Sequence, residues 1–323
     1  MFYKNKKVLV TGGTGFVGTN FVEELVRQGA KIRVPVHHRP LRVKSDLIEA
    51  VPADLTRLDD CVAVCKGMDY VVHAGGAVSA AAVTNSNPMA VITTNLIVTS
   101  QMLQGAWIAN VERFLLPGST TVYPAAERPI KEEEIWTGPT YPTYFAYGWM
   151  RRYIERLAEF VAQKSPMKIA LVRPTAVYGR HDDFDPVRSH VIPALIRKAV
   201  ERMKPYEVWG SGDEVRDFFH ISDMIRGCLL ALEKHATCDA INLGYGSGFT
   251  IKEVVRIILK EAGHDKVQVV FNTSKPTTIP FRVVDITKAR NLLGFEPQVT
   301  LEEGLADTIK WYKENPKLAA GGH

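Results

Sequence analysis

Thr11-Gly12-Gly13-Thr14-Gly15-Phe16-Val17-Gly18 is the stretch that decides the fold. The apolar run Val8-Leu9-Val10 leads into it and predicts a fully buried strand over 7–10. The segment leaving it, 16–28, carries Val17, Phe21, Val22 and Leu25 at helical spacing on one face. Glycines at 12, 15 and 18 between a strand and a helix permit a tight turn, the approach of backbone N–H groups to a pyrophosphate, and close helix–strand packing. A glycine-rich loop without a ligand is the competing reading, and the strand–turn–helix context weighs against it. Thr14, Phe16 and Val17 complete the expected cofactor-binding stretch, and Ala74, just after the strand at 70–72, joins them.

Outward from that turn, a second strand is predicted over 32–36, after the stop at Gly29. Further apolar runs at 70–72, 114–116 and 169–172 alternate with helical segments, which predicts crossover units and a doubly wound parallel sheet of Rossmann type. After Arg173 the pattern loosens into loops rich in Pro, Gly and Asp, with helices predicted over 191–202 and 251–261. The expected architecture is α/β: a dinucleotide-binding domain over 1–173, completed by part of 218–245, and a smaller substrate-binding α/β lobe over 174–323. Residues 319–323 read as a frayed end. The helix after Tyr147 carries Met150, Ile154, Leu157 and Val161 in one stripe, with Arg152 and Glu155 off it. That stripe is core or a dimer seam. Together with the apolar run at 102–108 it predicts a helix-packed homodimer.

The 323 residues hold 40 Lys+Arg against 35 Asp+Glu, a formal charge of +5, with 46% hydrophobic and 23% charged residues. These proportions exclude disordered and fibrous classes and suffice for a large core. The basic residues are scattered rather than gathered into a stripe, which argues against a nucleic-acid partner and suits small anionic substrates. Cys61, Cys65, Cys228 and Cys238 lack metal-ligand spacing and read as buried, reduced thiols, so no metal is expected. Lys4, Lys6 and Lys7 precede an apolar run that breaks at Thr11, far short of a signal-peptide core, and no stretch has the length of a membrane span. A cytoplasmic protein without a membrane partner is expected.

The end of the second strand separates NAD from NADP, because a carboxylate there accepts ribose hydroxyls and repels an extra phosphate. Here the segment is Val34-Pro35-Val36-His37-His38-Arg39. It has no carboxylate, and His37, His38 and Arg39 could meet a 2′-phosphate, so NADP(H) is expected, with NAD(H) as the alternative. Asp54 and Leu55 suit contact with the adenine amino group.

Transfer of a hydride to a ketone needs a proton donor at the carbonyl oxygen, and a tyrosine near a cation can serve. Tyr147 and Arg151 stand one helical turn apart, and Ser119 follows a strand in Gly118-Ser119-Thr120-Thr121-Val122-Tyr123-Pro124. With the glycine pattern, this order of motifs over nearly the whole chain resembles the extended short-chain dehydrogenase/reductase family, the NAD-dependent epimerases and dehydratases. The runs 173–179, 181–186 and 189–195 are similar to its GDP-L-fucose synthase branch, as are 208–212, 216–220 and Ser274-Lys275-Pro276.

That resemblance implies an NADP-dependent enzyme that epimerises C3 and C5 of a GDP-4-keto-6-deoxy sugar and reduces C4. It makes Ser119 the holder of the substrate oxygen and Tyr147 the acid, and lays Pro174 and Val177 along the nicotinamide. Lys198, Trp209 and Arg216 fall where the branch contacts the nucleotide sugar, and His190 matches its histidine, a catalytic and cofactor-contacting position. An arginine pairs with diphosphate, and an indole covers an apolar sugar or base face. Taken alone, His190 also reads as a satisfied histidine on an apolar stretch.

The sequence departs from the branch at two positions. Arg151 stands where the family has lysine, and a planar fork does not reproduce a point contact. Thr121 occupies the position of the cysteine used for epimerisation, and a threonine hydroxyl is too weak an acid or base for carbon-bound protons. It remains an expected substrate contact. The sequence therefore predicts a C4 reductase with epimerisation in doubt. A 4-epimerase with tightly bound NAD and a catalytically weak NADP-binding sensor are the alternatives.

Overall fold

In a computed structural model, residues 2–76, 88–275 and 277–316 are described. The short apolar runs form one seven-stranded sheet whose hydrogen-bonded pairs are all parallel. Its strands are β1 Lys7–Thr11, β2 Lys31–Val36, β3 Ile48–Pro52, β4 Tyr70–His73, β5 Arg113–Pro117, β6 Lys168–Pro174 and, arriving late in the chain, β11 Ile241–Leu243. The order β11-β6-β5-β4-β1-β2-β3 reverses direction between β1 and β4, and a crevice opens at the carboxyl edge of such a switch point.

Strand period sorts the side chains into two cores. Val8 and Val10, Tyr70 and Val72, Leu115, and Ala170 and Val172 face one layer, against helix α1 (Phe16–Arg27) and the later helix Ile221–Lys234. Leu9, Val71, Phe114, Leu116, Ile169 and Leu171 face the other. That second layer holds α2 (Leu58–Cys65), α3 (Pro88–Ile108) and α4 (Phe145–Lys164). Both faces of the sheet are therefore covered, which explains why its strands read as apolar runs rather than as alternating patterns.

Beyond β6 the chain builds small sheets: β7 (Ala176–Tyr178) with β10 (Phe218–His220), β8 (Tyr206–Trp209) with β13 (Val269–Asn272), and β9 (Val215–Arg216) between β12 (Phe249–Thr250) and β14 (Phe281–Arg282). A third core around Phe184, Ile192, Leu195, Val254, Ile258 and Leu305 holds this part together. Its helices include Val191–Val200 and Ile251–Ala262. The second starts at a reciprocal Thr250/Glu253 cap and stops at Gly263 in a left-handed conformation.

The structure differs from the sequence expectation on α4. Met150, Ile154 and Val161 are buried in this chain's own core with Met102, Leu103 and Ala106 of α3, while Leu157, the fourth residue of that stripe, is half-buried at its edge. Arg152 and Glu155, which lie off that stripe, are also buried. Arg152 donates to the Val122 and Gly138 carbonyls, and Glu155 receives a two-pronged ion pair from Arg173 at 3.0 and 2.7 Å. Periodicity missed both because each is held by partners distant in sequence, Arg152 by backbone carbonyls and Glu155 by the Arg173 charge. Cys61, Cys65 and Cys228 are buried and Cys238 half-buried, all four as free thiols. Pro276 and 319–323 lie outside the described residues. No helix among the described residues is long and apolar enough to cross a membrane.

Candidate active site

The glycine turn sits at the switch point. Gly12 has φ +65°, and a Cβ there would stand 2.6 Å from the Ala74 carbonyl oxygen, so the turn after β1 is pressed against the exit of β4. A Cβ on Gly18 would fall inside the Gly12 carbonyl, which fixes how closely α1 packs on β1. Gly15 differs: a Cβ there meets only the Gly12 oxygen, at 3.4 Å. Gly15 caps α1 without any side-chain hydrogen bond, leaving the first turn's N–H groups without a side-chain acceptor. Thr14, Phe16 and Val17 are half-buried around them. An uncapped helix start beside a position where only hydrogen leaves room fits a pyrophosphate.

On the far side of this turn, His37, His38 and Arg39 are exposed, with the two imidazoles 3.6 Å apart between centroids. Arg42, which the sequence reading passed over, is half-buried beside Arg39 and donates to the His181 carbonyl at 3.4 Å. Burial lowers the Arg42 pKa, with Arg39 acting in the same direction. Asp54 turns its carboxylate to Thr56, accepting from its N–H at 3.0 Å and its hydroxyl at 2.7 Å, and these bonds hold its pKa down. Leu55 packs into the second core.

The residues expected to form the acid–base pair meet at the start of α4. Arg151 donates to the Tyr147 hydroxyl oxygen through Nε at 3.2 Å and Nη2 at 2.7 Å, and its third contact is the Pro117 carbonyl at 3.5 Å. The phenol oxygen accepts twice, so its own proton is free to point away from the guanidinium. Ser119 lies beyond the end of β5, and its Oγ accepts from the Thr121 N–H at 3.2 Å and the Thr121 hydroxyl at 3.0 Å. The Ser119 proton is likewise left to donate outward, while the Thr121 hydroxyl is spent on Ser119. Pro174 and Val177 are half-buried after β6. Tyr123 takes no part in this site: it donates to Asn242 and accepts from Arg173 in a buried network.

His190, at the start of the helix Val191–Val200, is solvent-exposed, and the protein packed around its base lowers its pKa against the pull of Asp183. Lys198 of the same helix donates to the Glu207 carbonyl at 2.8 Å. Trp209 is 45% exposed at the end of β8, with the Lys275 ammonium 5.6 Å from its ring. Arg216 donates to the Val215 and Pro280 carbonyls and to the Thr278 hydroxyl. Its register partner on β14 is Arg282, which the sequence reading missed. Arg282 is buried and donates to the Tyr123 carbonyl, and burial lowers its pKa to about 10. Two adjacent guanidiniums with few carboxylate partners suit a dianionic group. Only strand pairing between 215–216 and 281–282 reveals this, and neither two-residue strand has a sequence signature. Among the described residues, no cluster of His, Cys, Asp or Glu could hold a metal ion.

The sequence profile of the NAD dependent epimerase/dehydratase family matches residues 8–244, from the first strand to the seventh strand of the sheet. The chain belongs to that family. Its members are enzymes, and so is this chain. It is 31% identical to a GDP-L-fucose synthase of Escherichia coli over 96% of its own length and 97% of the relative's. It is 26% identical to a dTDP-4-dehydro-6-deoxy-D-allose reductase of Streptomyces bikiniensis, covering 98% of each chain. An epimerase from Methanothermobacter thermautotrophicus superposes with a TM-score of 0.88 at 27% identity, covering 98% of this chain and 95% of that one.

Proposed function

We propose that this enzyme is an NADP(H)-dependent reductase of a nucleotide-linked 4-keto sugar, GDP-linked by its likeness to the fucose synthases, and that it leaves C3 and C5 unchanged. The observation that carries this reading is the Arg151 fork on the Tyr147 oxygen. When bound, the nicotinamide supplies the hydride that reduces C4. Tyr147 gives its outward proton to the carbonyl oxygen, and Arg151 faces the phenol oxygen from which that proton leaves. Ser119, its lone pairs taken by Thr121, donates to the same carbonyl oxygen and orients it. Thr121, engaged as a donor and without an acidic proton of suitable pKa, supports reduction without epimerisation, as does likeness to a relative named as a reductase.

In this reading, residues 1–173 with β11 bind the cofactor and 174–323 bind mainly substrate. The uncapped start of α1 takes the pyrophosphate, His37, His38 and Arg39 with Arg42 take the 2′-phosphate, and Asp54 and Leu55 flank the adenine. Ala74, Pro174, Val177 and His190 line the nicotinamide side. Arg216, with Arg282, takes the sugar-nucleotide diphosphate, and Lys198 and Trp209 take its nucleoside. We also propose a homodimer through the exposed side of α3 and α4, where Trp107, Ile108, Tyr153, Leu157 and Phe160 line a groove. The four free thiols suit a reducing, cytoplasmic setting.

The test is to incubate the purified protein with GDP-4-keto-6-deoxymannose and NADPH in deuterium oxide, following NADPH absorbance and product mass. Consumption of NADPH without deuterium at C3 or C5 is expected. Deuterium at those carbons overturns the plain-reductase reading. Absence of turnover, together with NAD that copurifies, points to the 4-epimerase alternative. Binding of NADPH without turnover on a panel of nucleotide sugars points to the sensor.

A further inference from the structure

His73 closes the buried strand β4 at the sheet's carboxyl edge, only 4% exposed. Both of its ring nitrogens are engaged: Nδ1 lies 3.0 Å from the Thr11 hydroxyl and Nε2 lies 3.1 Å from the Thr99 hydroxyl. The Thr11 oxygen also accepts the Gly75 backbone N–H at 2.9 Å. That third bond settles the protons. A backbone N–H can only donate, so it occupies one lone pair of Thr11. If Nδ1 carried the imidazole proton it would take the second lone pair, and the Thr11 proton would have no acceptor among the described residues. With Nδ1 bare, Thr11 donates to it and Nε2–H donates to Thr99, which, inside helix α3, can turn its own proton to the helix carbonyl one turn back, an option that strand residue Thr11 lacks.

We propose that His73 is a positioning residue for the dinucleotide: a neutral Nε2–H imidazole that, through Thr11, fixes the Gly75 peptide against the Gly12 turn and braces both on α3. This inference rests on the cofactor reading above. Residues 74–76 form the wall of the crevice that the glycine turn faces, and their spacing leaves no slack. A Cβ on Gly75 would stand 2.9 Å from the Thr11 oxygen, and one on Gly76 would stand 2.5 Å from Asn95 Oδ1 of α3. A buried hydroxyl that loses its acceptor must turn or draw in water, and either event moves the Gly75 peptide it holds. Burial keeps the ring uncharged, with a pKa near 3, and the Arg151 charge acts in the same direction. His73 therefore takes no part in proton transfer, and its effect is confined to the geometry of the cradle.

The test uses two substitutions of equal shape. His73→Asn places an amide oxygen where Nδ1 stands and keeps an acceptor for Thr11; His73→Leu fills the same volume without one. Affinities for NADPH and NADH are measured by fluorescence titration, alongside thermal unfolding and the pH profile of kcat. The expected result is wild-type-like affinity for Asn and a loss of about tenfold or more for Leu, with the pH profile unmoved in both. Equal affinity for the two variants overturns the proposal, because a packing role depends on volume alone. Should the Leu variant not fold, Thr11→Val against Thr11→Ser reads the same hydroxyl from its other side, with loss of affinity expected only for Val. Nitrogen-15 spectra of histidine-labelled wild type report the tautomer directly, and a proton on Nδ1 also overturns the proposal. Failure of the wild type to bind either dinucleotide refutes the cofactor reading itself and is distinct from equal binding by the variants.

Discussion

Arg151 grips the Tyr147 hydroxyl with two nitrogens, at 2.7 and 3.2 Å. A lysine one helical turn away could give that oxygen only a single point contact. The site is thus complete in charge but differs in shape from the family pattern. Tyr147→Phe is expected to keep NADPH affinity and lose turnover by about 10²–10⁴, the usual contribution of a general acid. Arg151→Met is expected to lose turnover over a similar range, and Arg151→Lys much less. Single-turnover kinetics beside cofactor titration check this; a Tyr147→Phe enzyme of wild-type rate would remove the tyrosine from the mechanism.

The glycines of the turn are predicted to separate stability from binding. Gly18→Ala drives a methyl into the Gly12 carbonyl, where backbone must shift, so a loss of about 1–3 kcal/mol or more is expected in denaturant unfolding. Gly15→Ala has 3.4 Å to its nearest neighbour and should fold with near-wild-type stability. Its methyl enters the space that a pyrophosphate would fill, so cofactor affinity should fall by at least tenfold. If Gly15→Ala binds NADPH normally, the cradle lies elsewhere.

What the sequence makes legible follows from where the determinants sit. The sheet, the glycine turn and the Ser119, Tyr147 and Arg151 set were legible because each is carried by a local pattern: a buried run, a fixed spacing, or one helical turn. Arg282, Arg42 and His73 were not, because each owes its place to a neighbour far away in sequence. Arg282 meets Arg216 only through the pairing of β14 with β9, and His73 meets Thr11 and Thr99 across β1, β4 and α3. The α4 stripe shows the reverse case. Its periodicity was sound, but period alone does not tell a core from an interface, and packing on α3 puts Met150, Ile154 and Val161 in the core while leaving Leu157 at its edge.

The buried pair Arg173–Glu155 braces the same helix that carries Tyr147. Glu155→Ala leaves the Arg173 guanidinium buried without its carboxylate, and the expected cost is about 3–5 kcal/mol. Arg173 would keep its bonds to the Tyr123 hydroxyl and the Glu132 carbonyl, so the protein should still fold. Denaturant unfolding of Glu155→Ala, Tyr123→Phe and the double variant tests whether they act as one unit. Simple additivity of the two losses would show that the network is not coupled.

Tyr153 and Phe160 are 57% and 51% exposed on α4, beside Ile108 at 52% on α3. Three large apolar side chains around one groove are more than scattered surface residues. If a second copy covers this face, the Tyr153→Asp/Phe160→Asp variant should sediment as a monomer while the wild type sediments as a dimer. A monomeric wild type at micromolar concentration refutes the dimer. Retained dimerisation by the variant moves the interface to another face.

Asp182 gives the stability a definite slope with pH. Its carboxyl is buried, one oxygen accepts the Asp183 N–H at 2.8 Å, and the other has no partner among the described residues. Burial raises its pKa from the ordinary value of 3.8 to about 8. The folded protein therefore holds a proton on Asp182 that the unfolded chain releases near pH 4. Between about pH 4 and 8 the native state binds more protons than the unfolded state, so stability from this group is full below pH 4 and declines as pH rises to 8. The slope is at most about 1.4 kcal/mol per pH unit for one proton. Asp182→Asn has the shape of the protonated acid without its titration, so its unfolding free energy should lose this slope and exceed that of the wild type above pH 8. Parallel pH profiles for the two proteins would mean that Asp182 is ionised in the native state and is solvated or paired in a way its surroundings do not provide.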